Sequence, residues 1–303
     1  MSIIVKDANS VDRYYEAIES GTSGNPFQSV VPDFKLAHAI RVVEADDSVD
    51  VSIWEKAKGL RKFGRNSTVG TSFETVGELQ GTESNETFVT TNLIDGVSSS
   101  SASDTSQTIV IEGHTVDGSG NLTFVSQEAI LLGQTEVTLT TPLARATRAY
   151  VKPSGTFGTT PTALVGNVYI YDNTGGVGSG TPTVASGTKL MISAGNTQTQ
   201  KCATSTSSAD YWFIDSFSAA VGVAGGSASR VEIRIELRDI ANGGAWRPAG
   251  RNIELTVGQN GITYLLDPCI IVPPNHDIRV RAKTDSNTAE VVAELAGYLA
   301  IIT

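Results

Sequence analysis

The sequence predicts an all-β protein, built from antiparallel β-sandwich or jelly-roll-like units and preceded by an extended N-terminal arm that carries a short helix. Three observations predict this. Only 18% of the 303 residues are charged while 30 are glycine, a composition suited to short strands and tight turns rather than long surface helices. From Val231 to Asp239, apolar Val231, Ile233, Ile235 and Leu237 alternate without exception with Glu232, Arg234, Glu236 and Arg238, the two-residue period of a strand with one buried face. Short β-branched and aromatic runs recur between clusters of Gly, Ser, Asn and Pro, the punctuation of many strands and turns. The length leaves room for two ordinary cores, and the expected division is an arm over 1–66, a first β unit over 67–172 and a C-terminal sandwich or jelly-roll domain over 188–303.

In the arm, Ser10 precedes Val11, Tyr14, Tyr15 and Ile18, which recur at i, i+3, i+4 and i+7, with Gly21 after them. The spacing predicts a short amphipathic helix, too short to stand alone, whose apolar stripe lies on the body or on a neighbouring subunit. Gly, Ser, Asn and Pro then mark an extended connection from Gly21 to Phe34. Acidic Glu44, Asp46, Asp47 and Asp50 are followed by basic Lys56, Lys58, Arg61, Lys62 and Arg65, with Trp54, Leu60 and Phe63 interleaved. A segment whose charge reverses this quickly either docks on another subunit through fitted charges or is a solvated face with a few apolar anchors. On the docking reading, Tyr14, Tyr15, Ile18, Trp54, Arg61, Lys62, Phe63 and Arg65 are the partner-binding candidates.

In the first β unit, Thr71 to Val76 and Thr87 to Ile94 are short strand candidates, and Asp95 to Ser106, with four consecutive serines from Ser98, reads as flexible. Thr108 to Glu112 and Leu122 to Val125 flank the turn-forming Asp117-Gly118-Ser119-Gly120-Asn121. Glu136 to Thr140, Arg148 to Val151 and Val165 to Tyr171 add strands, and the glycine-rich stretch from Asn173 to Gly187 reads as a long loop or linker. The C-terminal domain opens near Lys189, with an aromatic strand over Tyr211 to Phe217, the alternating strand at Val231, and further strands from Ile253 onward. Its closing segment, Glu290 to Ile302, is apolar on both faces. That pattern belongs to a central strand between sheet and partner or to an oligomer interface, since an exposed apolar edge invites uncontrolled pairing.

Charge and chemistry narrow the function. With 22 Lys and Arg against 32 Asp and Glu, the net charge is −10, which disfavours general binding to nucleic acid or anionic membrane. Met1 to Ser10 does not resemble a leader, and no run approaches 18 apolar residues, so membrane spanning is not expected. The two cysteines, Cys202 and Cys269, show no metal or redox motif and are expected as separate thiols.

His38, His114 and His276 are dispersed and lack partners at ligand spacing. The glycines between Gly175 and Gly187 lack the Lys-Ser or Lys-Thr of a phosphate loop, and no nucleophile elbow is present. Of the acid pairs, Glu232 and Glu236 are about 13 Å apart on a strand, beyond the roughly 5–9.5 Å of a glycosidase pair; Asp210 and Asp215 have no further support. Tyr150, Tyr169, Tyr171, Tyr211 and Trp212 could present rings to a carbohydrate or serve as cross-strand packing, the commoner use. The expectation is a chain without enzymatic activity or cofactor.

The run Leu60-Arg61-Lys62-Phe63-Gly64-Arg65-Asn66-Ser67-Thr68-Val69-Gly70-Thr71-Ser72-Phe73-Glu74-Thr75-Val76 resembles a signature of virion-associated structural proteins of tailed bacteriophages, especially marine and cyanobacterial ones. Similar features follow at Ser101-Ala102-Ser103-Asp104-Thr105, at Leu132-Gly133-Gln134-Thr135 leading to Arg148-Ala149-Tyr150-Val151, and at Asn196-Thr197-Gln198-Thr199. Lys201-Cys202-Ala203 departs from the aromatic and glycine pattern usual before the last sandwich. The resemblance implies a particle protein located in the virion, present in many copies as a homo-oligomer, with a trimeric body by analogy. Its partners would be the major capsid protein or other virion proteins, reached by the arm if it is a decoration or cement protein. A fibre, tail or baseplate component with a carbohydrate-binding role is the alternative.

Overall fold

The computed structural model describes residues 2–6, 12–16, 58–80, 88–153, 163–223, 230–240, 243–250, 252–257 and 261–301, and these are overwhelmingly antiparallel β-structure. Residues 1–47 and 48–303 form two compact units. In the first, strands β1 (Ser2–Lys6) and β2 (Asp12–Glu16) pair with Ile3 opposite Tyr15 and Ile4 opposite Tyr14. The helix expected at Tyr14 and Tyr15 is therefore corrected to a strand. An isolated helix of about ten residues is marginal in water, whereas β-branched residues opposite aromatic ones are a favoured strand pairing. Ile18 and Trp54 lie outside the described residues.

The second unit contains a two-sheet sandwich, broadly jelly-roll-like. One sheet has four long strands, β3 (Lys58–Val69), β15 (Asp210–Val223), β19 (Ile262–Val272) and β21 (Ala289–Ile301), in the order β19-β15-β21-β3. The facing sheet has the path β14 (Ala203–Ser205), β20 (His276–Thr284), β16 (Arg230–Asp239), β17 (Arg247–Pro248). In it β18 (Ile253–Thr256) also pairs with β16, and β4 (Glu74–Thr75) with β20. Trp212, Ile214, Phe217, Val231, Ile233, Val280, Val291 and Leu295 are among the side chains of the shared core. The alternation along β16 is realised as expected, with Val231, Ile233 and Ile235 buried.

Between β4 and β14 the chain builds a second core. Strands β5 (Ile94–Ser99), β8 (Val137–Leu143), β10 (Val168–Asp172) and β13 (Thr188–Ile192) form one sheet in the order β13-β10-β5-β8. Strands β6 (Thr108–Val116), β7 (Leu122–Ile130) and β9 (Arg145–Val151) form another in the order β7-β6-β9. Ile94, Val97, Ile109, Ile111, Leu143, Ile170 and Leu190 pack between them. The stretch expected as a loop or linker holds two single 3-10 turns and the small hairpin of β11 (Val177–Gly178) and β12 (Thr181–Pro182).

Three expectations change with this topology. Residues 58–66, expected in the arm, run in β3 and pair with β21. Residues 188–192, expected to open the C-terminal domain, pair with β10 in the insertion. The serine run is no flexible boundary, because Ser98 and Ser99 are fully buried in β5. Their hydroxyls are satisfied: Ser98 Oγ donates to Gly180 O at 2.9 Å and Ser99 Oγ to Asp104 Oδ2 at 2.6 Å. The buried Asp104 carboxylate also accepts the amides of Val165 and Gly166, each at 3.0 Å. Gly96 is required in β5, since a Cβ there would sit 2.4 Å from the Tyr171 ring.

Candidate functional site

The outer face of the β19-β15-β21-β3 sheet gathers exposed apolar side chains from several strands. In β21, Val291, Ala293 and Leu295 fill the core, so the pleat turns Val292, Glu294, Ala296 and Tyr298 outward. Register places Tyr298 beside Phe213 of β15, which is itself beside Ile271 of β19. The neighbouring row holds Leu265, Ser216, Ala296 and Arg61, and the next Thr263, Ser218, Glu294 and Phe63. Leu265 is 74% exposed, Ile271 45% and Val292 37%. Tyr211 and Phe213 stack with ring centroids 6.4 Å apart. The two-faced hydrophobicity of Glu290 to Ile302 was the visible signal for this face, whereas Phe213, Leu265 and Ile271 joined it only through pairing.

The basic cluster of β3 is divided by the same pleat. Arg61 faces outward, with Nε 3.6 Å from Glu294 Oε1. Arg65 shares that outward direction and is paired within the chain: Nε donates to Glu290 Oε1 at 2.6 Å and Nη1 to Glu78 Oε1 at 3.1 Å. Lys62 points the other way and is buried, with Nζ donating to Thr147 O at 3.3 Å, and burial lowers its pKa to about 8. Phe63 is half-buried on the outer face. The structure thus brings Arg61, Phe63 and Arg65 to one surface, with both arginines paired within the chain, and turns Lys62 inward.

A second charged layer covers the outer face of the six-stranded sheet. Register sets Glu232 opposite Lys283, Arg234 opposite Arg281, Glu236 opposite Arg279 and Arg238 opposite Asp277. Lys283 pairs with Glu232 at 2.9 Å, and Glu236 with Arg279 at 2.8 Å and Arg234 at 2.5 Å. Phe73 lies 3.6 Å from the Arg234 guanidinium and Trp246 3.9 Å from that of Arg279. The face expected to be wet is largely a packed layer, with Glu236 only 2% exposed. At its end, fully buried Asp277 joins the insertion to the sandwich. It accepts from Arg145 Nε at 2.8 Å and Nη2 at 3.1 Å, from Ser205 Oγ at 2.6 Å, and from Arg238.

The remaining chemical candidates do not converge. Trp212 and Tyr171 are fully buried and Tyr169 is 5% exposed, so these proposed carbohydrate platforms are core residues. Tyr150 stacks under Arg148 at 4.6 Å. An open cleft of about 670 Å³ is lined by Glu74, Glu78, Asn167 and Tyr169 among others. Its glutamates are engaged, Glu74 by Gly70 N and Asn66 Nδ2, Glu78 by Arg65 and Ser193. His114 is buried against Phe124, His276 Nδ1 lies 2.8 Å from Pro274 O, and His38 is outside the described residues. Among the described residues no group of three or more His, Cys, Asp or Glu is placed to hold a metal. Cys202 and Cys269 are separate free thiols, and burial pushes that of Cys202 up to about 12.

No known protein-family model matches the chain, and no curated protein does. The solved structures to which it is similar include that of the infectious bursal disease virus Gt strain, 11% identical over 84% of this chain and 74% of that one, with a TM-score of 0.22. A mutant VP2 protein of the same virus in derived T=1 particles is 10% identical over 91% of this chain and 80% of that one, with a TM-score of 0.18. At those TM-scores the overlap carries no argument about what this chain does.

Proposed function

We propose that this chain is a non-enzymatic structural component of a virus particle. At a finer level it is a capsid decoration or cement protein of a tailed phage, present in many copies. The observation that carries the reading is the outer face of the four-stranded sheet, where Ile271, Phe213 and Tyr298 lie in register across three strands and exposed Leu265 and Val292 add apolar area beside them. Such a surface gains by being covered, and burial of apolar area is the general driving force of assembly. The tailed-phage reading rests on the resemblance of residues 60–76, whose strand and turn lie in the sandwich.

Within this proposal the arm shortens to residues 1–57, with Tyr14, Tyr15, Ile18 and Trp54 as contacts to the major capsid protein or another virion protein. Arg61, Phe63 and Arg65 belong to the sheet face, and Lys62 braces β3 from within. The tail, baseplate or fibre alternative with carbohydrate binding relied on five rings, of which Tyr169, Tyr171 and Trp212 pack in the cores, so the geometry favours assembly.

Electron microscopy of virions made without the protein tests the reading. The expected result is missing surface density and reduced particle stability; equally stable, infectious particles with unchanged density would overturn it. Particles supplied with a chain lacking residues 1–57 should lose attachment while that chain stays folded.

A further inference from the structure

We infer that the outer face of the β19-β15-β21-β3 sheet is a self-association surface, covered by the same face of a second copy of this chain. The inference deepens the assembly reading by naming the occupant of that face. Area is the first argument. Strands of eleven to fourteen residues at about 3.4 Å per residue, in four rows about 4.8 Å apart, give a face of roughly 800 Å². That is about the area each partner contributes to a stable interface of standard size.

Charge is the second. The whole chain carries −10, so two copies repel over most of their surfaces. On the strand-paired outward positions, Arg61 and Arg65 match Glu294 and Glu290, and Asp215 of β15 and Asp267 of β19 are further acids of these strands. The Arg61 and Glu294 groups are 3.6 Å apart, with side chains 79% and 36% exposed. At that separation they are free to exchange partners, each Arg61 meeting the other copy's Glu294 across a two-fold axis.

Shape is the third. Two twisted sheets stack face to face at about 10 Å when their facing residues are apolar and interdigitate, and small Ala296, Ala300 and Ser216 between bulky Phe213, Tyr298, Leu265 and Ile271 provide the necessary relief. Because both copies use one patch, the contact is isologous and closes at two. The predicted stoichiometry is thus a dimer, in place of the trimeric body suggested by analogy.

The test is sedimentation of the full chain over a series of concentrations. The expected mass is twice 31.8 kDa. Leu265→Glu combined with Val292→Glu, both at exposed positions, should halve it while leaving the β-sheet circular dichroism unchanged. Ile130→Glu, at a 58% exposed position on β7, should leave the dimer intact. A wild-type monomer at every concentration, a trimer, or a dimer that survives the double substitution would overturn the inference. A monomer that still decorates particles removes this inference alone, whereas a dimer never found on particles removes only the virion reading.

Discussion

Asp277→Asn is expected to be the most damaging conservative substitution in the described residues, because one fully buried carboxylate serves two guanidiniums and a hydroxyl. The amide preserves shape and can keep the Ser205 bond, so the loss isolates charge. Arg145, 4% exposed, would then be a buried cation without a counter-ion. Removing one member of a buried pair costs about 3–5 kcal/mol, a large part of the roughly 5–15 kcal/mol that holds a domain folded. Arg238, with its side chain 23% exposed, can turn toward solvent and adds less.

Chemical denaturation followed by two probes measures both the size and the place of the damage. Residues 88–200 contain no tryptophan, whereas Trp212 is fully buried in the sandwich core, so in a background with Trp54 and Trp246 replaced by phenylalanine fluorescence reports the sandwich and far-ultraviolet circular dichroism reports both cores. In Asp277→Asn the dichroism transition should move to lower denaturant by the full amount and separate from the fluorescence transition, since the linkage to the insertion is weakened. Adding Arg145→Met should recover at least half of the loss, with a coupling of about 2–3 kcal/mol between the sites. A loss below about 1 kcal/mol, or a double variant as unstable as the sum of the singles, would refute the argument.

Two further perturbations follow from the same cores. His114 is buried 4% exposed and its pKa is lowered to about 4, chiefly by burial and then by nearby Lys62. The unfolded chain takes up this proton from pH 6.5 downward, so stability is lost as pH falls through that window to 4, by about 3 kcal/mol; in His114→Phe this part of the acid sensitivity should vanish from melting temperatures measured at pH 7 and 4.5, and an unchanged slope would discount it. Gly96→Ala places a methyl 2.4 Å from the ring of fully buried Tyr171 and should cost about 1–3 kcal/mol in the same denaturation assay, so a neutral result would show that the ring has room to move.

The sequence shows strands well where one chemical pattern governs them. Val231 to Asp239 alternates strictly because a single face is buried, and Glu290 to Ile302 is apolar on both sides because β21 is a central strand with an apolar outer row. It misleads where local chemistry and tertiary placement disagree. Ser98 and Ser99 carry the composition of a flexible segment, yet Asp104 and Gly180 supply the partners that let them be buried. Tyr14 and Tyr15 satisfy a helical spacing, but strand partners ten and twelve residues before them, Ile4 and Ile3, decide the outcome. The charged seam was invisible for a different reason: Arg145 and Asp277 are 132 residues apart, and nothing local to either announces the other. Arg61 and Lys62 are adjacent in the sequence, and only the direction of the pleat reveals that one belongs to a surface and the other to an interior.

The placement of β21 between β15 and β3 governs the order in which this protein can be made. While residues 88–200 have emerged from a ribosome, the insertion already possesses every strand of its own core. The sandwich must wait, because β3 is synthesised early and its neighbour, Ala289–Ile301, more than 200 residues later. Until then β3 and β15 each hold an unsatisfied edge beside apolar surface, the most adhesive configuration a nascent β chain can present. Filling that gap is a late, long-range event of the kind that slows folding, and a cell crowded with identical nascent copies offers the same edges in trans.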